Sequence, residues 1–195
     1  MATFTDDAII LKTHKLSESD KIVTCFTKNH GKVKAVARGA RRTNSSYGAK
    51  TDNFTEIKAT FAKGKSLDII TQSKINKSYF ETISAVYDKF ISISLICNFT
   101  DQVISELYIK EKEVFFLLQK FIKCIAENHH EEIATDIYLL QFLKLQGYEM
   151  NTQNLQNALM DFYYADDMES ILKYDESAHK KITLDINSFI SELAI

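Results

Sequence analysis

The chain has 195 residues, 45% hydrophobic and 26% charged, a balance that excludes disordered and fibrous classes and allows one large domain or two small ones. It has no proline and five glycines, so helices are expected to run long and each glycine to mark a turn. The net charge of -2 conceals an asymmetry, +8 over residues 1–80 and -10 over residues 81–195. That split points to a polyanionic partner for the first half, or else to lysines that keep sheet edges soluble.

Cys25, Cys97 and Cys124 are isolated, with no C-x-x-C spacing. They fit buried free thiols in a reducing compartment rather than disulfides or a structural zinc site. The N-terminus lacks the basic region and long apolar core of a signal peptide. No uncharged run exceeds 11 residues, against the ~20 needed to span a bilayer. The expected location is the cytoplasm, with no membrane contact.

Ala8–Lys15 reads as a first strand and Lys21–Thr27 as a second, joined by the turn cluster from Ser17 to Asp20. Asn29-His30-Gly31 closes a hairpin into a third strand, Lys32–Arg38, and Arg41–Lys50 is a polar, basic loop. Asn53–Phe61 and Leu67–Gln72 make strands four and five, separated by the turn Ala62-Lys63-Gly64-Lys65. Five short strands with glycine-marked turns predict a small antiparallel barrel or sandwich, with a five-stranded barrel of the OB type, a fold that binds oligonucleotides across one face, as the simplest closure.

From Ile83 the period changes. Val86, Phe90, Ile93, Cys97, Thr100, Ile104 and Leu107 follow the stripe of one long amphipathic helix. Glu111–Asn128 and Glu131–Gln146 follow as helices, with Gly147 at the position of a left-handed C-cap. The fold class is therefore α+β: an OB-type barrel over residues 1–80, then a helical domain over 81–195 with a cysteine-free C-terminal extension. No Gly/Ser-rich linker separates the halves, so they are expected to pack firmly. Beyond Tyr148 the signal allows a helical turn at Asn154–Met160, a hairpin from Phe162–Ala165 and Ser170–Tyr174, and a terminal helix at Leu184–Leu193.

The strongest functional candidates are the cations Lys15, Lys21, Lys32, Lys34, Arg38, Arg41, Arg42 and Lys50. Between Lys12 and Lys50 ten Lys/Arg face only Glu18 and Asp20. Phosphates need cations spaced along a track, and arginine adds a planar bidentate fork. Single strands also want faces for stacking, for which Tyr47 in the polar loop is the better candidate and Phe26 is expected in the barrel core. Glu18 and Asp20 read as turn caps or partners of Arg41 and Arg42, with a shared metal as the alternative. His129-His130-Glu131-Glu132 reads as an interhelical loop whose glutamates complement the next helix N-terminus rather than as a metal site. No phosphate-binding, serine-hydrolase or zinc-protease motif is present, no enzyme activity is expected, and neither a metal nor any other cofactor is implied.

The stretch Glu18-x-Asp20-x-Ile22-Val23-x-x-Phe26-Thr27, then Gly31, then Ala35-Val36-Ala37-Arg38-Gly39-Ala40-Arg41-Arg42 and Ser45 resembles the amino-terminal domain of the RecO family of bacterial recombination mediators. Ile10-Leu11-Lys12 and Leu145-Gln146-Gly147-Tyr148 extend the resemblance over roughly residues 6–148. It implies a non-catalytic protein that binds single- and double-stranded DNA and anneals strands. It also implies a partnership with RecR and, indirectly, RecA, and a helical domain that binds the tail of the single-stranded-DNA-binding protein. By the same resemblance Lys32, Lys34, Arg38, Arg41 and Arg42 would contact phosphates, and Lys110, Lys112, Lys120 or Lys123 would serve the tail. Many relatives carry a four-cysteine zinc module after the Gly-Tyr pair; residues 150–195 contain no cysteine, so no zinc is expected. An RNA-binding OB module and a protein-binding adaptor are the rival readings.

Overall fold

The computed structural model describes residues 2–43, 45, 47–104, 111–127 and 131–147. The expectations for Leu107, Lys110, the His129-His130 pair and everything from Tyr148 onward lie outside the described residues.

Five strands, β1 (Thr3–Lys15), β2 (Lys21–Thr27), β3 (Gly31–Ala37), β4 (Thr55–Ala62) and β5 (Asp68–Ser78), close a barrel in the order β1-β2-β3-β5-β4. All pairings are antiparallel except β3 with β5, a short parallel contact at Ala35–Asp68 and Val36–Ile69. This is the expected OB-type architecture. Alternation sends Ala8, Ile10, Val23, Cys25, Val33, Ala35, Ala37, Ile57, Ala59, Phe61 and Ile70 inward to fill the barrel. The β2–β3 hairpin turns on Gly31 at φ +63°, where the Thr27 hydroxyl donates to the Gly31 carbonyl at 2.8 Å.

Two strands are longer than their patterns imply. β1 starts at Thr3, well before Ala8, and pairs with β4 through Asp6 and Asp7. β5 continues past Gln72 to Ser78, although its second half is polar. That half earns its strand geometry by pairing with β4 across two register shifts rather than by burying side chains. β4 begins at Thr55 instead of Asn53 because Phe54 sits at φ +64°, a left-handed conformation costing ~1–2 kcal/mol for a bulky residue. Its amide donates to the Ile10 carbonyl at 2.8 Å and its ring packs edge-on to Phe90, which holds it there.

The helices are α1 (Phe80–Ser84), α2 (Tyr87–Val103), α3 (Glu111–Glu127) and α4 (Glu131–Leu145). The single helix expected from Ile83 onward is two. The chain breaks at Ala85–Val86, where Val86 is extended (φ -125°, ψ 115°). Correspondingly, Ile93, Cys97, Thr100 and Ile104 are buried as the stripe predicts, whereas Val86 and Phe90 remain more than a third exposed. Gly147 takes φ +85° and its amide caps the Lys144 carbonyl at 2.9 Å, the expected left-handed end of α4.

Barrel and helices share one core. Ile9, Leu11, Phe26 and Phe54 leave the barrel's outer surface to join Ile83, Ile93, Phe115, Phe121 and Phe142 of the helical part. Gln119 of α3 donates to Glu56 of β4 at 2.7 Å, and buried Lys89 of α2 donates to the Ala126 carbonyl at 2.9 Å, where the negative end of α3 favours a cation. Among the described residues the helical part thus covers one end of the outer β1–β2 surface and leaves the other open.

Candidate nucleic-acid interface

Register arranges the outer face of β1, β2 and β3 as rows running across the strands. Nearest the helices, Ile9 opposes Phe26 and Phe26 opposes Lys32. The next row is Lys12, Thr24 and Lys34. The third is His14, Ile22 and Val36, continued onto β5 by Ile69. His14 is exposed and the three aliphatic residues are half-buried. Beyond them β3 runs out into Arg38.

A hydrogen-bonded hook at that open end ties the β1–β2 turn to the loop after β3. Asp20 accepts from the Gly39 amide at 2.8 Å and from the Ser19 hydroxyl at 3.0 Å. The Arg41 amide donates to the Ser19 carbonyl at 2.9 Å, and its guanidinium donates to the Ser17 carbonyl. Gly39 adopts φ +69°, which turns the chain so that its amide meets Asp20. These bonds, led by the one from Gly39, hold the Asp20 carboxyl below its usual range, and the nearby Arg42 lowers it further. Asp20 is therefore a strut for the arginine loop. Among the described residues no group of three or more His, Cys, Asp or Glu side chains is placed to hold a metal ion.

The expected cations divide into two sets. Lys15, Lys34, Arg38, Arg41 and Arg42 are exposed and cluster on the open end and the adjoining β3 surface. Lys21 is half-buried and paired with Asp52 at 3.3 Å, and Lys50 lies over the Tyr47 ring at 5.8 Å. Lys32 points the other way along the face: its ammonium meets both the side chain (2.6 Å) and the backbone carbonyl (2.6 Å) of Asp101 in α2. Lys12 pairs with the same carboxylate. Burial pushes Asp101 up, but hydrogen bonds from Lys12 and Lys32 outweigh it and leave its carboxyl below the usual range.

Neither Phe26 nor Tyr47 is presented on the open face. Phe26 is fully buried as expected, but in the core shared with the helices rather than inside the barrel, because its position on β2 alternates to the outer face. Tyr47 is strapped down: its hydroxyl donates to the Thr71 carbonyl at 2.6 Å and its ring packs on the barrel core. The aromatic beside the cations is instead His14. It escaped notice because its neighbours in the row, Ile22 and Val36, belong to strands whose relative register the sequence does not state. On α3, Lys123 approaches Glu127 at 4.0 Å as an i,i+4 pair, and Lys120 lies 5.9 Å from the Phe121 ring. A separate apolar groove of about 380 Å³ runs between α2 and α4, over Tyr87, Ile91 and Leu95, with Asp88, Glu132 and Asp136 at its rim.

Comparison with known proteins finds one family along most of the chain. A family model described as "Recombination protein O N terminal" matches residues 1–79, and one described as "Recombination protein O C terminal" matches residues 85–154. Among curated proteins, a "DNA repair protein RecO" of Nocardioides sp. is 34% identical over 146 residues, covering 74% of this chain and 60% of that protein. The protein of the same name from Thermobifida fusca is 34% identical over 149 residues, covering 76% and 61%. That of Bifidobacterium longum is 32% identical over 149 residues, covering 76% and 62%. The chain thus spans about three fifths of the length of these relatives.

Proposed function

The chain belongs to the RecO family, and from that membership we propose a non-enzymatic DNA-binding recombination mediator. It binds single- and double-stranded DNA, anneals complementary strands and, with RecR, assists RecA loading onto single strands in gap repair. The observation that supports this most directly is the trio Arg38, Arg41 and Arg42, exposed on a loop that Asp20 and Ser19 pin beside the open barrel face. Annealing two strands requires their mutual phosphate repulsion to be lowered while both remain free to slide. Cations on a surface that holds backbones without locking bases meet that need.

Lys15, Lys34, Arg38, Arg41 and Arg42 are the phosphate contacts in this reading, with Lys21 and Lys50 at its margin. Lys32 contributes only when it leaves Asp101. RecR is a partner in this reading, and the tail of the single-stranded-DNA-binding protein is a partner for the helical part. The acidic rim of the α2–α4 groove suits that acidic tail poorly, so the α3 lysines remain its better contact. No described helix is long and apolar enough to cross a membrane, and a DNA ligand places the protein in the cytoplasm at the nucleoid.

The test is fluorescence anisotropy of a labelled single-stranded oligonucleotide across a salt series, with an RNA competitor. Changing Arg38, Arg41 and Arg42 together to Ala is expected to flatten the salt slope by about 2 units, at ~0.7 per phosphate contact on single strands. A folded variant with the wild-type slope would move the site elsewhere. Preferential displacement by RNA would replace the DNA reading with an RNA-binding one.

A further inference from the structure

The cations explain attraction to any polyanion; the row between them addresses something else. His14, Ile22, Val36 and Ile69 run across four strands on the barrel's outer face, their neighbours Val23, Ala35 and Ile70 being turned into the barrel. Strands lie ~4.8 Å apart and residues two along a strand ~7 Å, so the row is a strip ~14 Å long and one side chain wide. One side of it is bordered by Lys34 and the other by Arg38, both exposed. An apolar strip one base wide, flanked at β3 by a cation on either side, suits a single strand, whose bases are flat and apolar on their faces and whose phosphates lie to the side. A paired duplex keeps its base faces inside its own stack and has nothing to lay on such a strip.

We propose that the His14–Ile22–Val36–Ile69 row is a platform for unpaired nucleobases, with the His14 imidazole as its stacking ring, and that it gives the barrel a preference for single strands that charge alone does not supply. This rests on the nucleic-acid reading above and deepens it. Tyr47, the expected stacking residue, is withdrawn by its bond to Thr71, and Phe26 is buried beneath the helices, which leaves this row as the apolar surface beside the exposed cations of β3. Imidazole is a recognised stacking group for splayed bases, and aliphatic side chains supply the remaining contact area. Base stacking is sequence-tolerant because every base has a π-face, which suits a protein that must anneal any complementary pair.

The test combines His14→Ala, Ile22→Thr and Val36→Thr in one variant; threonine keeps the β-branched shape the strands favour while removing apolar contact. Wild type and variant are titrated against a single-stranded oligonucleotide carrying 2-aminopurine and against a duplex of the same length, each over a salt series. The expected result is binding to the single strand weakened about tenfold or more at every salt, with an unchanged salt slope and a diminished 2-aminopurine response. Duplex binding is expected to stay at the wild-type level, which also reports that the variant is folded. Equal affinity and equal 2-aminopurine response on the single strand would overturn the platform while leaving the cationic site in place. An equal loss on single strand and duplex would overturn it too, by showing that the row does not distinguish paired from unpaired bases. If wild type binds neither ligand, the functional reading itself fails, and the platform with it.

Discussion

Asp6 shows how a single carboxylate can set the behaviour of a strand. It is 4% exposed, yet it accepts from the Asn29 amide (2.8 Å), the Asn29 side chain (2.7 Å), the Asp7 amide (3.0 Å) and the His30 ring (2.8 Å). Burial pushes its carboxyl up, but the bonds from His30 and Asn29 outweigh that, and the net position is below the usual 3.8. A carboxyl lowered on folding stabilises the protein fully above its unfolded value, and that contribution is lost as pH falls through the folded value. Asp6→Asn is therefore expected to cost ~1–3 kcal/mol at neutral pH, because an amide cannot accept from donors on both sides. The same variant should lose less stability than wild type between about pH 5 and pH 2. Urea unfolding at neutral pH and at both ends of that window checks both. Beneath this cluster, burial, reinforced by Asp6 and Asp68, pushes the Cys25 thiol up to about 12, so it is no nucleophile at neutral pH. Cys97 and Cys124 are buried as well. A thiol reagent should leave all three untouched in the folded protein and titrate all three once it unfolds.

At the scale of elements, the β1–β2 turn and the loop after β3 act as one unit through Asp20. Coulomb attraction alone says that removing this carboxylate from beside three arginines should strengthen DNA binding. The geometry gives the opposite sign for Asp20→Ala, which deletes the acceptor for the Gly39 amide and frees the loop that carries Arg41 and Arg42. Asp20→Asn keeps an acceptor oxygen while removing the charge, and is expected to bind at least as tightly as wild type. Anisotropy titrations of the two variants separate the strut from the charge; an Ala variant that binds more tightly would reduce Asp20 to a local anion. Much of this unit was legible in the sequence. The alternation of Lys21–Thr27, the turn at Gly31 and the basic cluster after Gly39 are local signals, and each fell where the pattern put it. What escaped was non-local. A bulge at Leu11 shifts the β1–β2 register, so nothing local says that His14 shares a row with Ile22. The second half of β5 is polar and becomes a strand only by pairing with β4, and the break before Tyr87 is marked by neither glycine nor proline. Asp101 occupies a helical position whose meaning depends on which strand lies beneath it.

At the scale of the molecule, that aspartate is where the acidic half meets the basic half. Asp101, 5% exposed on α2, is bracketed by Lys12 of β1 and Lys32 of β3 at the edge of the shared core. It does two things at once: it fastens helices to barrel, and it neutralises two cations that continue the track of Lys34 and Arg38. Removing one partner of a buried ion group leaves the others uncompensated, which costs ~3–5 kcal/mol when all are buried. Here the Lys12 side chain is 34% exposed and Lys32 keeps its bond to the Asp101 carbonyl. For Asp101→Asn a smaller loss of about 2 kcal/mol is therefore expected in urea unfolding, since solvent screens the freed lysine. DNA affinity should move the other way. Lys12 is released and Lys32, still bonded to the carbonyl, is no longer neutralised by a carboxylate, so single-strand binding should tighten at low salt and its salt slope steepen by about 1 unit, up to ~0.7 for each lysine. Stability and affinity changing in opposite directions would identify Asp101 as a carboxylate that stands in for a phosphate until DNA arrives. A less stable variant with the wild-type slope would confine it to holding the two halves together.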